Sequence, residues 1–242
     1  MYTPRNFVWM KSENPRDLFQ FSERVGPTRV LDGSRTALEY FQIFYSDEVF
    51  GNIVRLMNLN ASIKRAIGDT GVWTDLTLEE IKAFYGILII MDTMKFARDE
   101  LYWSESDKHW LLGSKISQVM SRDRFFQIRR YLHFSDDRCV ANDKLHKVRY
   151  LLDHLRHAFQ SEYVPHKQVM VDESMVPFKG RLSLKQYMKD KPVKFGIKIW
   201  VLADDVTSYC YNFDVYVGKN AEVVNENLGL ASKVVIALTK KT

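Results

Sequence analysis

The chain has 242 residues, 46% apolar and 13% aromatic, enough to bury one large core or two smaller ones. Its 35 basic and 30 acidic residues leave a formal charge of +5, and the excess is local: residues 144–200 hold 12 Lys or Arg against 5 Asp or Glu. Cys139 and Cys210 are too few and too far apart for a disulfide framework or a zinc knuckle, and the longest apolar run, Ile87 to Met91, is too short to cross a bilayer; the expectation is a soluble intracellular protein without a membrane partner.

Residues 1–34 are rich in Pro, Arg, Ser and Asn, lack periodicity and read as a loosely ordered arm. From Arg35 the pattern turns helical, with Phe41, Phe44, Tyr45, Val49, Ile53 and Leu56 on one face. Ser46-Asp-Glu within this run has the composition of a helix start, so one helix or two consecutive ones fit. Thr77-Leu-Glu-Glu80 is a capping box, and Ile81, Phe84, Tyr85, Leu88 and Ile89 follow as the expected buried stripe. A further helix starts at Ser121 with Phe125, Ile128 and Leu132 inward, and another runs from Lys147 to about Tyr163.

Near Pro165 the period changes to two. Val169-Met-Val-Asp-Glu173 is a short strand, and residues 194–201 alternate, with Phe195, Ile197, Ile199 and Val201 facing one way. Tyr209 to Val217 forms a third strand with Tyr209, Tyr211, Phe213 and Val215 on one side, and residues 221–241 suit one or two short helices. The fold class is therefore α+β: an all-α domain over 35–164 and an antiparallel meander over 165–242. Three strands with one attached helix are marginal alone, so the second part reads as unfinished.

The chemistry concentrates in Val171-Asp-Glu-Ser-Met-Val-Pro-Phe-Lys-Gly-Arg181 and Gln186-Tyr-Met-Lys-Asp-Lys-Pro-Val-Lys-Phe-Gly-Ile-Lys-Ile-Trp200. These stretches resemble piggyBac-type transposases, which carry a DE-x-M-x-x-F-x-G-R run and then Q-Y-M-x-x-K-P-x-K-[WF]-G-x-K. Further matches follow the same order: Trp73, the helix Glu79 to Met91, Tyr102-Trp-Ser104, Met120-Ser with Phe125-Phe126, Leu132-His-Phe134 and Tyr216-Val-Gly-Lys219, so that coverage runs from about residue 35 to 238.

By itself Asp172 is an acidic residue near a strand end. The resemblance implies more: that Asp172 is the first of three catalytic, metal-binding aspartates on the first strand of an incomplete RNase H-like domain, where two Mg²⁺ ions act on a scissile phosphate. Glu173 points to the other face by alternation. The family's second and third carboxylates and its Cys-rich module have no counterpart here, which predicts a C-terminally truncated chain without cutting activity of its own. Asp204 and Asp205 resemble the acidic residue that opens a non-catalytic turn, with Ser208 where the family has Gly.

Lys179, Arg181, Lys185, Lys189, Lys191, Lys194 and Lys198 form a basic stretch broken only by Asp190. A solvated face is the plain reading; beside a metal-binding aspartate the stretch suits a groove for the DNA phosphate backbone. Tyr187 and Trp200 read as core or rim residues, and His154 and His157, three apart on a helix, lack a third zinc ligand. The resemblance implies a protein related to metal-dependent cut-and-paste DNA transposition, with residues 35–164 as a helical dimerisation or DNA-binding domain and nuclear residence following from the DNA substrate; a homodimer is left open. The alternatives are a non-enzymatic DNA- or protein-binding module and a partial gene product.

Overall fold

The computed structural model describes residues 21, 23–29, 33–104, 110–136, 143–218 and 229–240. Most of the proposed arm, Cys139 and Lys219 lie outside these. Within the arm, strand β1 (Gly26–Pro27) pairs antiparallel with β2 (Tyr163–Val164). The Thr28 hydroxyl donates to the Ser161 carbonyl at 2.8 Å and Arg29 pairs with Glu162 at 2.7 Å, so this piece of the arm is pinned to the protein.

Helices α1 (Ala37–Phe44) and α2 (Asp47–Ala66) are separate, which settles the choice left open by the pattern. Ser46 breaks the run: its hydroxyl accepts the Val49 amide at 3.4 Å, satisfying a donor that a continuous helix would have used. A capping box missed in the sequence starts α1, where Thr36 and Glu39 exchange side-chain and backbone hydrogen bonds. The expected box at Thr77 and Glu80 starts α3 (Leu78–Thr93). A 3-10 turn (Asp99–Trp103), α4 (Trp110–Val119) and α5 (Arg122–Tyr131) complete the helical layer, and Ser121 caps α5 as expected.

These helices share one core, in which Phe50, Ile53, Met57, Ile81, Phe84, Ile87, Phe125, Ile128 and Tyr131 are almost fully buried. The buried stripe of α3 differs from expectation. It consists of Ile81, Phe84 and Ile87, whereas Leu88 and Ile89 are exposed. Apolar residues run around the whole C-terminal half of this helix, so periodicity alone cannot pick its inner face.

Several residues that carried the family resemblance hold this layer together. Arg124 grips Glu80 with two hydrogen bonds of 2.7 and 2.8 Å, reaches the Thr74 carbonyl at 3.0 Å and lies over the Trp73 ring. The Tyr102 hydroxyl accepts the Phe96 amide at 3.0 Å and closes the loop after α3, and Trp103 Nε1 donates to the Met120 carbonyl at 2.8 Å.

Helix α6 (Arg149–Glu162) touches both parts of the protein. His154 Nε2 lies 2.8 Å from the Phe44 carbonyl of α1, and the Phe159 ring meets Phe44 on one side and Phe213 on the other. The sheet contains β3 (Val169–Pro177), β4 (Lys185–Tyr187), β5 (Phe195–Asp204) and β6 (Cys210–Val215). All pairings are antiparallel to the central β5: β3 lies along one edge, while β4 and β6 share the other. Among the described residues β3 has no partner on its outer side. Helix α7 (Leu230–Thr239) covers the sheet face opposite α6, with Leu238 packed on Leu202 and Tyr211.

The third strand does not alternate as expected. A bulge opposite Leu202 and Ala203 places one extra residue in β6, so Tyr211 joins Leu238 on the α7 side while Phe213 meets Phe159 on the α6 side. One inserted residue reverses the facing of everything beyond it.

Candidate nucleic-acid interface

Asp172 sits in the middle of β3, in register with Val201 of β5. Val201 is also in register with Phe213, so Asp172 is on the α6 side of the sheet, yet beyond the helix and exposed. Its Oδ1 accepts the Glu173 amide at 2.7 Å. Glu173 faces the α7 side, opposite Trp200, as alternation requires.

The seven cations of the basic stretch separate into two groups. Lys191 and Lys198 reach Glu173 at 3.4 and 3.7 Å, and Lys198 Nζ also lies 3.8 Å from the centre of the Trp200 ring. Lys185 donates to the Gly180 carbonyl at 2.9 Å. Lys179, Arg181, Lys189 and Lys194 extend into solvent.

The chain gathers these four at one end of the sheet. Beyond β3, the Phe178 amide donates to the Phe195 carbonyl at 3.4 Å, which brings the Lys179–Arg181 turn beside the start of β5. Strands β4 and β5 form a hairpin whose last pair is Tyr187 with Phe195, closed by a 2.9 Å bond from the Met188 amide to the Lys194 carbonyl. Close backbone approach is possible here because residue 196 is Gly: a Cβ would stand 2.3 Å from the Val176 carbonyl oxygen. Tyr187 was expected in the core or at its rim, but it is 58% exposed, and its partner Phe195 is 55% exposed. No layer covers this end of the hairpin among the described residues.

Other acidic groups have structural partners. Asp204 is fully buried, with the His166 amide and Nδ1 at 2.6 and 2.8 Å and the amides of Val206 and Thr207 at 2.9 and 2.8 Å. Burial alone would raise its carboxyl, but these donors override that and hold it well below the ordinary carboxylate range. It closes the β5–β6 turn, in which Ser208 has φ +60°. Asp143 is gripped by Arg149 at 2.7 and 2.8 Å, which holds its carboxyl down to about 2. Asp214, not singled out in the sequence, is raised by burial although Arg156 stands 3.1 Å away.

Divalent-metal chemistry on phosphate asks for several carboxylates around one point. Among the described residues no three His, Cys, Asp or Glu side chains gather in that way. Asp172 belongs to no such group, and Glu173 is turned to the other face and paired with lysines. The described residues therefore do not fit a two-ion site.

The sequence of the fold, helices first and then a β3–β5 pair with Asp172 at an exposed edge, agrees with the comparisons. The Transposase IS4 family profile, one of the DDE transposases, matches residues 36–242. The chain belongs to the IS4-type DDE transposase family, in its piggyBac-derived group. It is 34% identical over 209 residues to human PiggyBac transposable element-derived protein 3, covering 85% of this chain and 33% of that protein. It is 28% identical to human PiggyBac transposable element-derived protein 5, covering 86% of this chain and 40% of that one. Among solved structures, a piggyBac transposase synaptic complex with hairpin DNA, from cryo-electron microscopy, matches with a TM-score of 0.72 and 31% identity, covering 89% of this chain and 45% of that one. The chain thus spans about a third to under half the length of these piggyBac relatives. No helix of the described residues is long and apolar enough to cross a membrane.

Proposed function

We propose that this chain is a DNA-binding part of a piggyBac-type transposase, and that the exposed cations Lys179, Arg181, Lys189 and Lys194 hold the phosphate backbone. The observation that carries this reading is their convergence at one end of the sheet that bears Asp172, in a fold similar to a transposase solved with hairpin DNA. Backbone contacts of this kind give affinity without sequence readout. Lys185, Lys191 and Lys198 come from the same basic stretch but are occupied within the protein, Lys185 by the Gly180 carbonyl and the other two by Glu173.

Asp172 is assigned as one metal-binding carboxylate of the family's Mg²⁺-dependent cutting site. Because the described residues gather no group of three ligands around it, cutting and joining of DNA are not assigned to this chain alone. Nuclear residence accompanies a chromosomal DNA substrate, and self-association as a homodimer is compatible with a synaptic relative.

The test is a binding titration of the purified chain with duplex DNA between about 50 and 200 mM salt. Affinity should fall linearly on a log–log plot, and Lys179→Ala/Lys189→Ala/Lys194→Ala should make the slope shallower by about 0.9 per lost contact. An unchanged slope returns these residues to an ordinary solvated surface. Asp172→Ala should bind as the parent does. Incubation with Mg²⁺ or Mn²⁺ and supercoiled plasmid should leave the plasmid intact. Metal-dependent nicking that disappears in Asp172→Ala would overturn the assignment of an incomplete site.

A further inference from the structure

We infer that Tyr187 and Phe195 form a stacking platform for an unpaired nucleic-acid base, set between the cations that hold the backbone. Their ring centres are 4.8 Å apart and the rings are tilted by 39°, so each supports the other while more than half of each residue stays in solvent. They are the last cross-strand pair of the β4–β5 hairpin, and both are held by backbone pairing on rigid strands. An apolar pair exposed to this degree loses the burial that normally stabilises aromatic residues, which calls for an occupant.

The charge around the pair selects that occupant. The hairpin tip above it carries the exposed Lys189 and Lys194 against the single Asp190, and the Lys179–Arg181 turn is tied to it through the Phe178–Phe195 backbone bond. Aromatic faces among cations, with little acid nearby, match a polyanion that also carries flat π-systems; single-stranded nucleic acid has both. A duplex presents phosphates but keeps its base faces covered. The preference is therefore for unpaired bases, beyond the backbone affinity proposed above, on which this inference rests.

The sheet also sets the platform's position relative to Asp172. Phe195 and Val201, the register partner of Asp172, are six positions apart on β5 and face the same side. At the rise of a strand that is about 20 Å. A strand running between the two would have a base held at one end and a phosphate near Asp172 at the other.

The experiment compares binding of the 242-residue chain to a single-stranded oligothymidine and to a duplex of equal length. The parent should favour the single strand, and Tyr187→Leu/Phe195→Leu, which keeps apolar bulk but removes the π-faces, should lose roughly tenfold or more for it. Duplex affinity, salt slope and thermal midpoint should change little. In Tyr187→Trp the indole emission should be quenched by the single strand and not by the duplex. A leucine variant that binds the single strand as tightly as the parent overturns the inference, as does equal loss for both DNA forms. If the parent sediments as a dimer that the leucine variant dissolves, the pair is covered by a second copy and the inference is wrong. Salt-sensitive duplex binding without any single-strand preference removes the platform alone, whereas absence of all DNA binding removes the backbone reading as well.

Discussion

Glu173 and Lys198 meet diagonally across β3 and β5 at 3.7 Å, on the side of the sheet away from Asp172. Two neighbouring acids thus have opposite surroundings: one meets solvent, the other meets two lysines and an indole ring. Lys198→Ala should consequently behave as a stability variant, losing about 1–2 kcal/mol in urea unfolding through the broken pair and the lost cation–π contact. The salt slope of DNA binding should match the parent, in contrast to the Lys189 and Lys194 variants.

Gly196 and Gly51 should respond oppositely to alanine. At 196 the new methyl meets the Val176 carbonyl oxygen at 2.3 Å, so the β3–β5 pair must separate and stability should fall by about 1–3 kcal/mol. At 51, inside α2, nothing lies within 4 Å, and alanine should add about 0.5–1 kcal/mol. Thermal melting of the two variants side by side checks both signs.

Ser208→Gly should stabilise the β5–β6 turn by about 1 kcal/mol. The left-handed backbone at φ +60° costs a residue with a Cβ about 1–2 kcal/mol, part of which glycine returns as unfolded-state entropy. A higher denaturant midpoint at unchanged slope is the expected result.

The Arg149–Asp143 pair should leave an acid signature. Asp143 titrates at about 2 in the folded chain, below its ordinary value of 3.8, so the unfolded state binds its proton first. Its contribution to stability is complete above about pH 4 and disappears as the pH falls toward 2. Arg149→Gln should flatten stability across that window and return the Asp143 carboxyl, followed by NMR titration, toward its ordinary value.

What the sequence disclosed depended on how local the controlling interaction was. Caps at Ser46, Thr77 and Ser121 involve residues three apart and were legible; Thr36 with Glu39 obeys the same rule and was hidden by the polar composition of the preceding segment. The strand pattern gave β3 and β5, but the bulge at Tyr211 arises in the pairing of β6 with β5 and has no marker in the residue pattern of β6 itself. Leu88 and Ile89 looked buried because they are apolar, while their exposure depends on which helices pack against α3. At the candidate interface, the family resemblance singled out Asp172 and the residue types singled out the basic stretch. Only the fold separated Lys191 and Lys198, which face Glu173, from the cations left in solvent, and exposed the ring pair at Tyr187.

The clasp between β1 and β2 has a consequence for the order of folding. Thr28 and Ser161 are 133 residues apart, and closing a loop of that length costs about 4 kcal/mol of chain entropy before any contact is made. One two-residue ladder and an exposed Arg29–Glu162 pair return too little to close it unaided. The helical layer and α6 must already be in place to bring the ends together. Pairing of Gly26 with Val164 is therefore a late event, and amide exchange at Thr28 reports local opening of the clasp well before the cores around Phe50 and Leu202 yield.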